Sequence, residues 1–232
     1  RCEWSGHIGL VFAQLDAAPR EFNGDRHRTY LTGLSMGGYG VVNVVGGGYR
    51  REAAAFPNGP PNALLLERAA GTPAFETSRD PRIKAAIAIG PWGMHVGYWD
   101  AAGLAGIRTP MLFVAGSVDD VSGYERGTRA IYQGAVNADR YLLTFLGGGH
   151  ALGLGPAPPE MQTDLWNQDW FEDPVWRKDR QIGISLHFIT AFLDRYVQDD
   201  ASRSAFIDGL VVESSKGKWD APQGTPWSAR SP

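Results

Sequence analysis

The sequence predicts an α/β domain in which helices cover both faces of a mostly parallel sheet. Three short, nearly continuous apolar runs carry this prediction, because a strand that is buried on both faces has this pattern. They are residues 83–89, 111–115 and 141–145, and a glycine follows each run within two residues. Helical patterns alternate with the apolar runs, which is typical of a parallel sheet. In such sheets the reacting groups lie at the carboxyl ends of the strands.

The first half of the chain predicts two helices with a strand between them. Ser5 is a candidate N-cap of a first helix, and a polar connection follows at residues 19–25. The apolar positions of that helix are Ile8, Val11, Phe12 and Leu15. A strand over residues 28–32 leads into a second helix over residues 36–45. Residues 52–78 predict a loop with one further helix around residues 63–70.

The second half predicts a helix over residues 122–135 and an amphipathic helix after residue 178. The apolar residues of the latter recur at helical spacing, at Ile182, Leu186, Ile189, Leu193 and Tyr196. The tail over residues 214–232 is polar and rich in Pro, Gly and Ser, so we expect it to be irregular.

Composition and charge exclude several classes of function. The 232 residues are 43% apolar and 20% charged, which is typical of one globular domain spanning 1–232. A net charge of −3 without a basic patch argues against a nucleic-acid partner. No apolar run approaches the roughly 18 residues of a membrane span. The single cysteine, Cys2, excludes an intrachain disulfide and a cysteine-rich metal site.

The chain begins with Arg1 rather than Met and shows no signal-peptide pattern. Only 34 residues precede the motif described next, so we interpret the domain as amino-terminally incomplete and lacking early strands of its sheet. The resulting sheet would have one uncovered edge. The compartment stays open, with secretion or a periplasmic location among the alternatives, and the oligomeric state is not predicted.

The pentapeptide Gly33-Leu34-Ser35-Met36-Gly37 is the most informative motif. Gly-x-Ser-x-Gly between a strand and a helix is the pattern of a nucleophile elbow. The turn is so sharp that side chains two residues on either side of the serine would clash. The backbone N–H of Met36 is then the expected first donor to an oxyanion. No segment before Ser35 is a convincing source of the second donor.

Two other polar residues follow strand ends in a meaningful order. Asp119 comes after the strand at 111–115, and His150 follows three glycines after the strand at 141–145. A serine hydroxyl needs a base, and the histidine needs a carboxylate to fix its tautomer. The order Ser, Asp, His is that of the triad on an α/β-hydrolase sheet. Asp120 remains the alternative carboxylate.

Further candidates surround this constellation. Trp92, Met94 and Trp99 follow a strand end and are candidate walls of a substrate pocket, although ordinary packing explains them equally well. His95 follows the same strand end and is a weaker candidate. A cluster after His150 is a candidate flap, namely Trp166, Trp170, Phe171 and Trp176. His7 and His27 are expected on the surface, and His187 at a helix edge.

The sequence resembles the dienelactone hydrolase-like branch of the α/β-hydrolase superfamily. The matching segments are residues 33–40, 80–86, 89–93, 99–107, 113–125, 137–145 and 187–196. The resemblance covers about residues 5–200. It implies a cofactor-free serine hydrolase that acts on carboxylic esters. True dienelactone hydrolases have a nucleophilic cysteine where this chain has Ser35. The esterase- and acetylhydrolase-like relatives have a serine at this position, as this chain does.

The predicted function is therefore serine-dependent cleavage of a small-molecule ester through an acyl-enzyme, with Ser35, Asp119 and His150 as the triad. Neither a metal ion nor another cofactor is expected, because the sequence has no cluster of metal ligands and no phosphate-binding loop. Two other functions stay open. One is a peptidase of the same superfamily, and the other is a non-catalytic binding module or fragment with a hydrolase-like fold.

Overall fold

A computed structural model describes residues 4–56, 61–76, 79–162, 170–208, 211–214 and 217–220. Its main sheet has four parallel strands in the order β1-β2-β3-β4. They are β1 (Thr29–Leu34), β2 (Ile83–Ile89), β3 (Met111–Gly116) and β4 (Arg140–Phe145). The predicted parallel sheet is confirmed, and all four predicted strands are present.

Seven α-helices are present in the described residues. They are α1 (Trp4–Glu21), α2 (Met36–Val44), α3 (Pro73–Glu76), α4 (Ala101–Leu104), α5 (Arg129–Gly134), α6 (Lys178–Tyr196) and α7 (Ser204–Ile207). Short 3₁₀ segments span Arg51–Ala55, Pro61–Arg68, Ala151–Gly153, Pro159–Met161 and Ala201–Arg203.

Two hydrophobic cores lie on opposite faces of the sheet, because side chains alternate between the faces along each strand. Phe113 of β3 belongs to the core that includes Leu15 of α1 and Val42 of α2. Its neighbour Val114 belongs to the other core, with Phe192 of α6. Helices therefore cover both faces, as the sequence predicts.

The carboxyl ends of the strands meet at one edge of the sheet. Leu34, the last residue of β1, lies opposite Ile89, the last residue of β2. The pairing continues past the strand ends, because the Ser35 N–H donates to the Ile89 carbonyl over 2.9 Å. Likewise, the Gly90 N–H donates to the Val114 carbonyl over 2.8 Å. These bonds fix the first residues after β1 and β2 relative to each other.

β1 is the edge strand of the described sheet, and its outer side carries exposed apolar groups. Leu10 and Phe22 are more than 60% exposed, and Tyr30 is 45% exposed. These three side chains, together with other residues of α1 and β1, border an open groove of about 560 Å³.

Three helical regions differ from their predictions. α1 continues to Glu21, with Pro19 inside its last turn instead of starting the predicted connection. The helix predicted over residues 122–135 is interrupted at Gly127, which has non-helical backbone angles (φ −119°, ψ −109°). A π turn (Tyr124–Thr128) therefore precedes α5. The helix predicted around residues 63–70 is a 3₁₀ segment, and Ala63 within it has a φ of 53°.

The predicted irregular tail includes regular structure near its start. Val211–Ser214 and Gly217–Asp220 form the antiparallel strands β5 and β6. Residues 221–232 of the predicted tail lie outside the described residues. In the part of the chain that the structure covers, no helix is long and apolar enough to cross a membrane.

Candidate active site

Ser35 occupies a strained turn between β1 and α2. Its φ of 54° and ψ of −113° lie in a region that residues with a side chain rarely adopt. A Cβ atom on Gly33 would lie 2.3 Å from the carbonyl carbon of Gly37, so position 33 has no room for a side chain. A Cβ atom on Gly37 would meet nothing within 4 Å. The steric requirement of the motif is therefore one-sided, whereas the sequence predicts it on both sides.

Met36 is the first residue of α2, so its N–H has no carbonyl of a preceding helical turn to bind. N–H groups at a helix start favour negative charge, and the helix dipole adds to this. The backbone N–H of Met36 therefore suits the predicted role of an oxyanion donor. The Met36 side chain is half-buried against the core that contains Val42.

Asp119 and His150 form a buried pair at the ends of β3 and β4. The Nδ1 atom of His150 lies 2.9 Å from Oδ2 of Asp119. The side chains of His150 and Asp119 are only 11% and 1% exposed. Asp120, the alternative carboxylate, is exposed to solvent. Of the two adjacent carboxylates, Asp119 is thus the one in contact with the imidazole.

The second oxygen of Asp119 is held by the backbone that follows. Oδ1 accepts hydrogen bonds from the N–H groups of Val121 (2.9 Å) and Ser122 (2.8 Å). Burial alone would raise the pKa of Asp119, but the bond to His150 and these two amides outweigh burial and lower it. Asp119 is therefore ionised at neutral pH and acts as an acceptor. The proton between the two side chains is accordingly on Nδ1 of His150. Nε2 of the neutral imidazole then has a lone pair that can accept a proton.

Gly90 forms the floor beneath this pair. A Cβ atom on Gly90 would lie 3.2 Å from Oδ2 of Asp119 and 3.3 Å from Nδ1 of His150. The φ of Gly90 is 46°, which also favours glycine. The buried hydroxyl of Ser122 donates to the Gly90 carbonyl over 2.7 Å, tying the end of β2 to the Asp119 loop.

The same floor connects Ser35 to the pair. Ser35 is bonded to Ile89, and the next residue, Gly90, is against the imidazole of His150. The chain after His150 also returns towards the elbow, because a Cβ atom on Gly153 would lie 2.9 Å from the side chain of Leu34. Ser35 and His150 therefore both lie against the chain at the carboxyl end of β2.

The order of these features along the chain is diagnostic. A strained serine follows β1, the buried aspartate follows β3 and the histidine follows β4, all at the carboxyl edge of one parallel sheet. That is the arrangement which defines the fold predicted from the sequence. The chain has an α/β-hydrolase fold.

Comparisons with known proteins gave matches among solved structures. No protein-family model matches the chain, and no curated protein matches it. A search of solved structures returns 142 chains. One is SOBER1 of Arabidopsis thaliana, with a TM-score of 0.44 and 10% identity over 83% of this chain and 64% of that one. Another, from Klebsiella pneumoniae subsp. pneumoniae, is named "Putative Dienelactone Hydrolase".

The Klebsiella structure has a TM-score of 0.46 and 15% identity, over 82% of this chain and 60% of that one. The present chain thus spans less than two thirds of the length of either matched structure.

The predicted pocket residues occupy different environments. Trp92 and Met94 are half-buried, and the Trp92 N–H donates to the Ser35 carbonyl over 3.1 Å, which places Trp92 beside the elbow. Trp99 is only 2% exposed and stacks on Tyr49, so it packs in the core instead of lining an open pocket. Its indole N–H donates to Oδ1 of Asn43 over 3.0 Å, so the polar atom is satisfied within the core.

His95 lies close to the Asp119 loop. Its ring is edge-on to the Trp92 ring, with the two ring centroids 5.6 Å apart. A Cβ atom added to Gly123 would lie 3.6 Å from the Cβ of His95. Burial lowers the pKa of His95, although the Ser122 backbone and the Asp119 charge oppose that effect. The Nδ1 atom is buried without a hydrogen-bond partner among the described residues. His95 therefore lines the site without touching the Asp119–His150 pair through a hydrogen bond.

The remaining features near the site are an apolar cavity and part of the predicted flap. A cavity of about 170 Å³ lies between α1, β1 and α2, and Met36 and Gly37 form part of its wall. In the predicted flap, Trp170 is 59% exposed, whereas Trp166 lies outside the described residues. Among the residues described, no cluster of three or more His, Cys, Asp or Glu side chains could hold a metal ion.

Sequence analysis did not identify the residues that support the candidate triad. Gly90 and Ser122 position Asp119 and His150, and Asp173 and Lys178 hold the loop that carries His150. The glycine and proline at the end of β2 were visible as a strand end. Gly90 directly follows the strand over residues 83–89, at the same sheet edge as Asp119, and a glycine in that position was the signal that could have identified it.

Proposed function

We propose that this chain is a serine hydrolase that cleaves carboxylic esters through an acyl-enzyme intermediate. The observation that carries the proposal is the buried 2.9 Å contact between His150 and Asp119, at the edge of the sheet where Ser35 is held in its strained turn. A buried aspartate–histidine pair at the same sheet edge as a half-buried serine suits base-assisted nucleophilic catalysis.

In the first step, Ser35 Oγ attacks the ester carbonyl carbon as Nε2 of His150 takes the hydroxyl proton. The ionised Asp119 stabilises the imidazolium that forms and keeps Nδ1 protonated. The backbone N–H of Met36 donates to the developing oxyanion, which the start of α2 also favours. The imidazolium then gives its proton to the leaving alcohol, and an acyl-serine remains.

In the second step, water replaces the alcohol. His150 takes a proton from the water, the resulting hydroxyl attacks the acyl carbon, and Ser35 leaves with the proton from His150. The products are the carboxylic acid and free Ser35. The ester and one water molecule are the only reactants that the two steps consume.

The surroundings favour an uncharged substrate. Trp92, whose backbone is bonded to Ser35, has a half-buried apolar side chain, and the cavity beside Met36 is lined mainly by apolar groups. Apolar walls with few polar groups suit small, neutral acyl or alcohol parts. A panel of p-nitrophenyl esters of increasing acyl length, with the matching anilides, measures both the acyl preference and the ester-to-amide ratio.

The direct test is labelling with a fluorophosphonate, followed by mass spectrometry of the modified peptide. This reagent reports an activated serine without knowledge of the natural substrate. We expect modification at Ser35, and we expect Ser35→Ala and His150→Ala to abolish it. The matched control is His27→Ala, because His27 is an exposed histidine that precedes the amino end of β1, whereas Ser35 follows the carboxyl end, so the change should leave labelling unchanged.

A folded wild-type chain that neither reacts with the fluorophosphonate nor hydrolyses any ester of the panel would overturn the proposal. Labelling that persists in folded His150→Ala would show that His150 is not the base. Faster hydrolysis of the anilides than of the matched esters would replace the esterase by a peptidase.

A further inference from the structure

The segment that leads into α6 holds the loop that carries His150 at three points. The indole N–H of Trp176 donates to the Leu146 carbonyl over 2.9 Å. Oδ2 of Asp173 accepts the N–H of Gly149 over 2.7 Å. The ammonium group of Lys178 donates to the Ala151 carbonyl over 2.9 Å.

Two of these contacts bracket the histidine itself. Gly149 and Ala151 are its immediate neighbours in the chain, so side chains from one segment hold a backbone atom of the residue before His150 and of the residue after it. The preceding glycines give this loop little stiffness of its own. The direction of the imidazole therefore depends on contacts made from outside the loop.

The holding segment is itself made rigid by Asp173. While Oδ2 binds the loop, Oδ1 accepts the N–H groups of Val175 (2.9 Å) and Trp176 (2.8 Å). One carboxylate thus joins the loop to the turn before α6. Asparagine could serve one of these two sets of donors but not both, because only one of its terminal atoms is an acceptor.

Lys178 is unusual because it is buried, with 8% of its surface exposed. Burial lowers its pKa, and the charges of Glu172 and Asp173 oppose that effect. A buried ammonium group needs acceptors, and it finds the Ala151 carbonyl and, at 3.4 Å, Oε1 of Gln181. A lysine on the surface would bind the same carbonyl much less rigidly, since solvent competes for it.

We propose that Asp173 and Lys178 are positioning residues for His150 and determine whether its imidazole faces both Asp119 and Ser35. This proposal rests on the proposed function for its catalytic consequence, but the placement of the imidazole is measurable without catalysis. Neither residue touches the reacting atoms.

The principal variant is Lys178→Met, which keeps the length of the side chain and removes the ammonium group. The second is Asp173→Asn, which changes almost no volume and therefore guards against loss of folding. The matched control is Lys84→Met. Lys84 also donates to a backbone carbonyl, that of Pro81 at 3.0 Å, but it is exposed and lies in β2 away from the site.

Two readouts separate positioning from a merely structural role. The first is the low-field proton resonance of Nδ1–H in His150, which reports the hydrogen bond to Asp119 in the resting protein. We expect it to weaken or shift in Lys178→Met and Asp173→Asn and to stay unchanged in Lys84→Met. The second is the split between kcat and KM for an ester, together with the pH profile of kcat/KM.

We expect kcat to fall by about 10²-fold in Lys178→Met, since a displacement of about 1 Å in a reacting group has an effect of that order. KM should change little, and the limb of the pH profile that belongs to His150 should move. If both variants fold and keep the resonance, kcat and the pH profile of the wild type, the proposal is overturned. A lowered Tm alone, with the resonance and kcat intact, also overturns it. A wild-type chain without activity but with the predicted changes in resonance would overturn the proposed function and leave the positioning role standing.

Discussion

Replacing Asp119 by asparagine tests the electrostatic logic of the site. Oδ1 of Asp119 accepts two backbone N–H groups, so we expect the amide oxygen of an asparagine to stay on that side. The amide NH₂ would then face Nδ1 of His150, across the distance that is 2.9 Å in the native pair. Two donors cannot share a hydrogen bond, so Nδ1 must become the acceptor and the proton must move to Nε2.

The expected loss of activity is large because the wrong tautomer cannot accept the Ser35 proton. In serine-protease triads the same exchange lowers kcat by about 10⁴-fold. At about 1.4 kcal/mol for each factor of ten, this corresponds to about 5.5 kcal/mol of transition-state stabilisation. The fold should persist, because asparagine has nearly the same volume and keeps both backbone hydrogen bonds of Oδ1.

The assay is steady-state hydrolysis of an ester, combined with the rate of fluorophosphonate labelling at Ser35. Circular dichroism and thermal unfolding establish that the variant is folded. Asp120→Asn is the matched control, since Asp120 is adjacent and exposed, and it should behave as the wild type. Activity of Asp119→Asn within tenfold of the wild type would refute the reasoning, and so would an equal loss in Asp120→Asn.

Three further predictions concern stability. The pKa of Asp119 is lower in the folded state than its ordinary value of about 3.9, so the ionised carboxylate stabilises the wild type above that value. This contribution disappears as the pH falls through the lowered pKa. The difference in unfolding free energy between the wild type and Asp119→Asn should therefore shrink below about pH 4. Gly33→Ala should lower the unfolding free energy by at least about 1–3 kcal/mol, because its Cβ would lie 2.3 Å from the backbone of Gly37. Trp99→Phe removes the donor to Asn43 inside the core and should lower the unfolding free energy by about 1–3 kcal/mol.

Urea denaturation measures all three, and each has its own control. For the pH dependence, a difference that stays constant or grows on acidification would contradict the sign of the shift. Gly37→Ala should be tolerated, since a Cβ there meets nothing within 4 Å, and equal destabilisation by both alanines would contradict the one-sided steric argument. Trp170→Phe provides the exposed indole for comparison with Trp99→Phe, and equal effects would show that the Asn43 contact contributes nothing.

The main sheet and the triad candidates were predictable because their signals are local. Each strand is a short apolar run, although only β2 and β3 are buried along most of their length, and Ser35, Asp119 and His150 each follow a run within a few residues. Parallel strands then bring the three residues to one edge without any knowledge of longer-range contacts. The clash at Gly33 was predictable from five consecutive residues, whereas the clash predicted at Gly37 is absent.

The supports of the site were not predictable in this way. Asp173 contacts a residue 24 positions away, and Lys178 contacts one 27 positions away, both through backbone atoms that leave no trace in the sequence. The residue type alone does not distinguish the buried Lys178 from the exposed Lys84. Trp99 shows the converse problem, because an aromatic residue after a strand end has the same pattern whether it faces a cleft or the core.

The turn at Ser35 has a consequence for trapping complexes with a substrate. A residue with a side chain at this position costs about 1–3 kcal/mol in backbone strain, which the surrounding structure must supply. Alanine removes the nucleophile but keeps that strain, whereas glycine removes both. A Ser35→Gly chain should therefore be inactive and yet melt at a higher temperature than the wild type. It would suit crystallisation with an uncleaved ester better than the customary alanine.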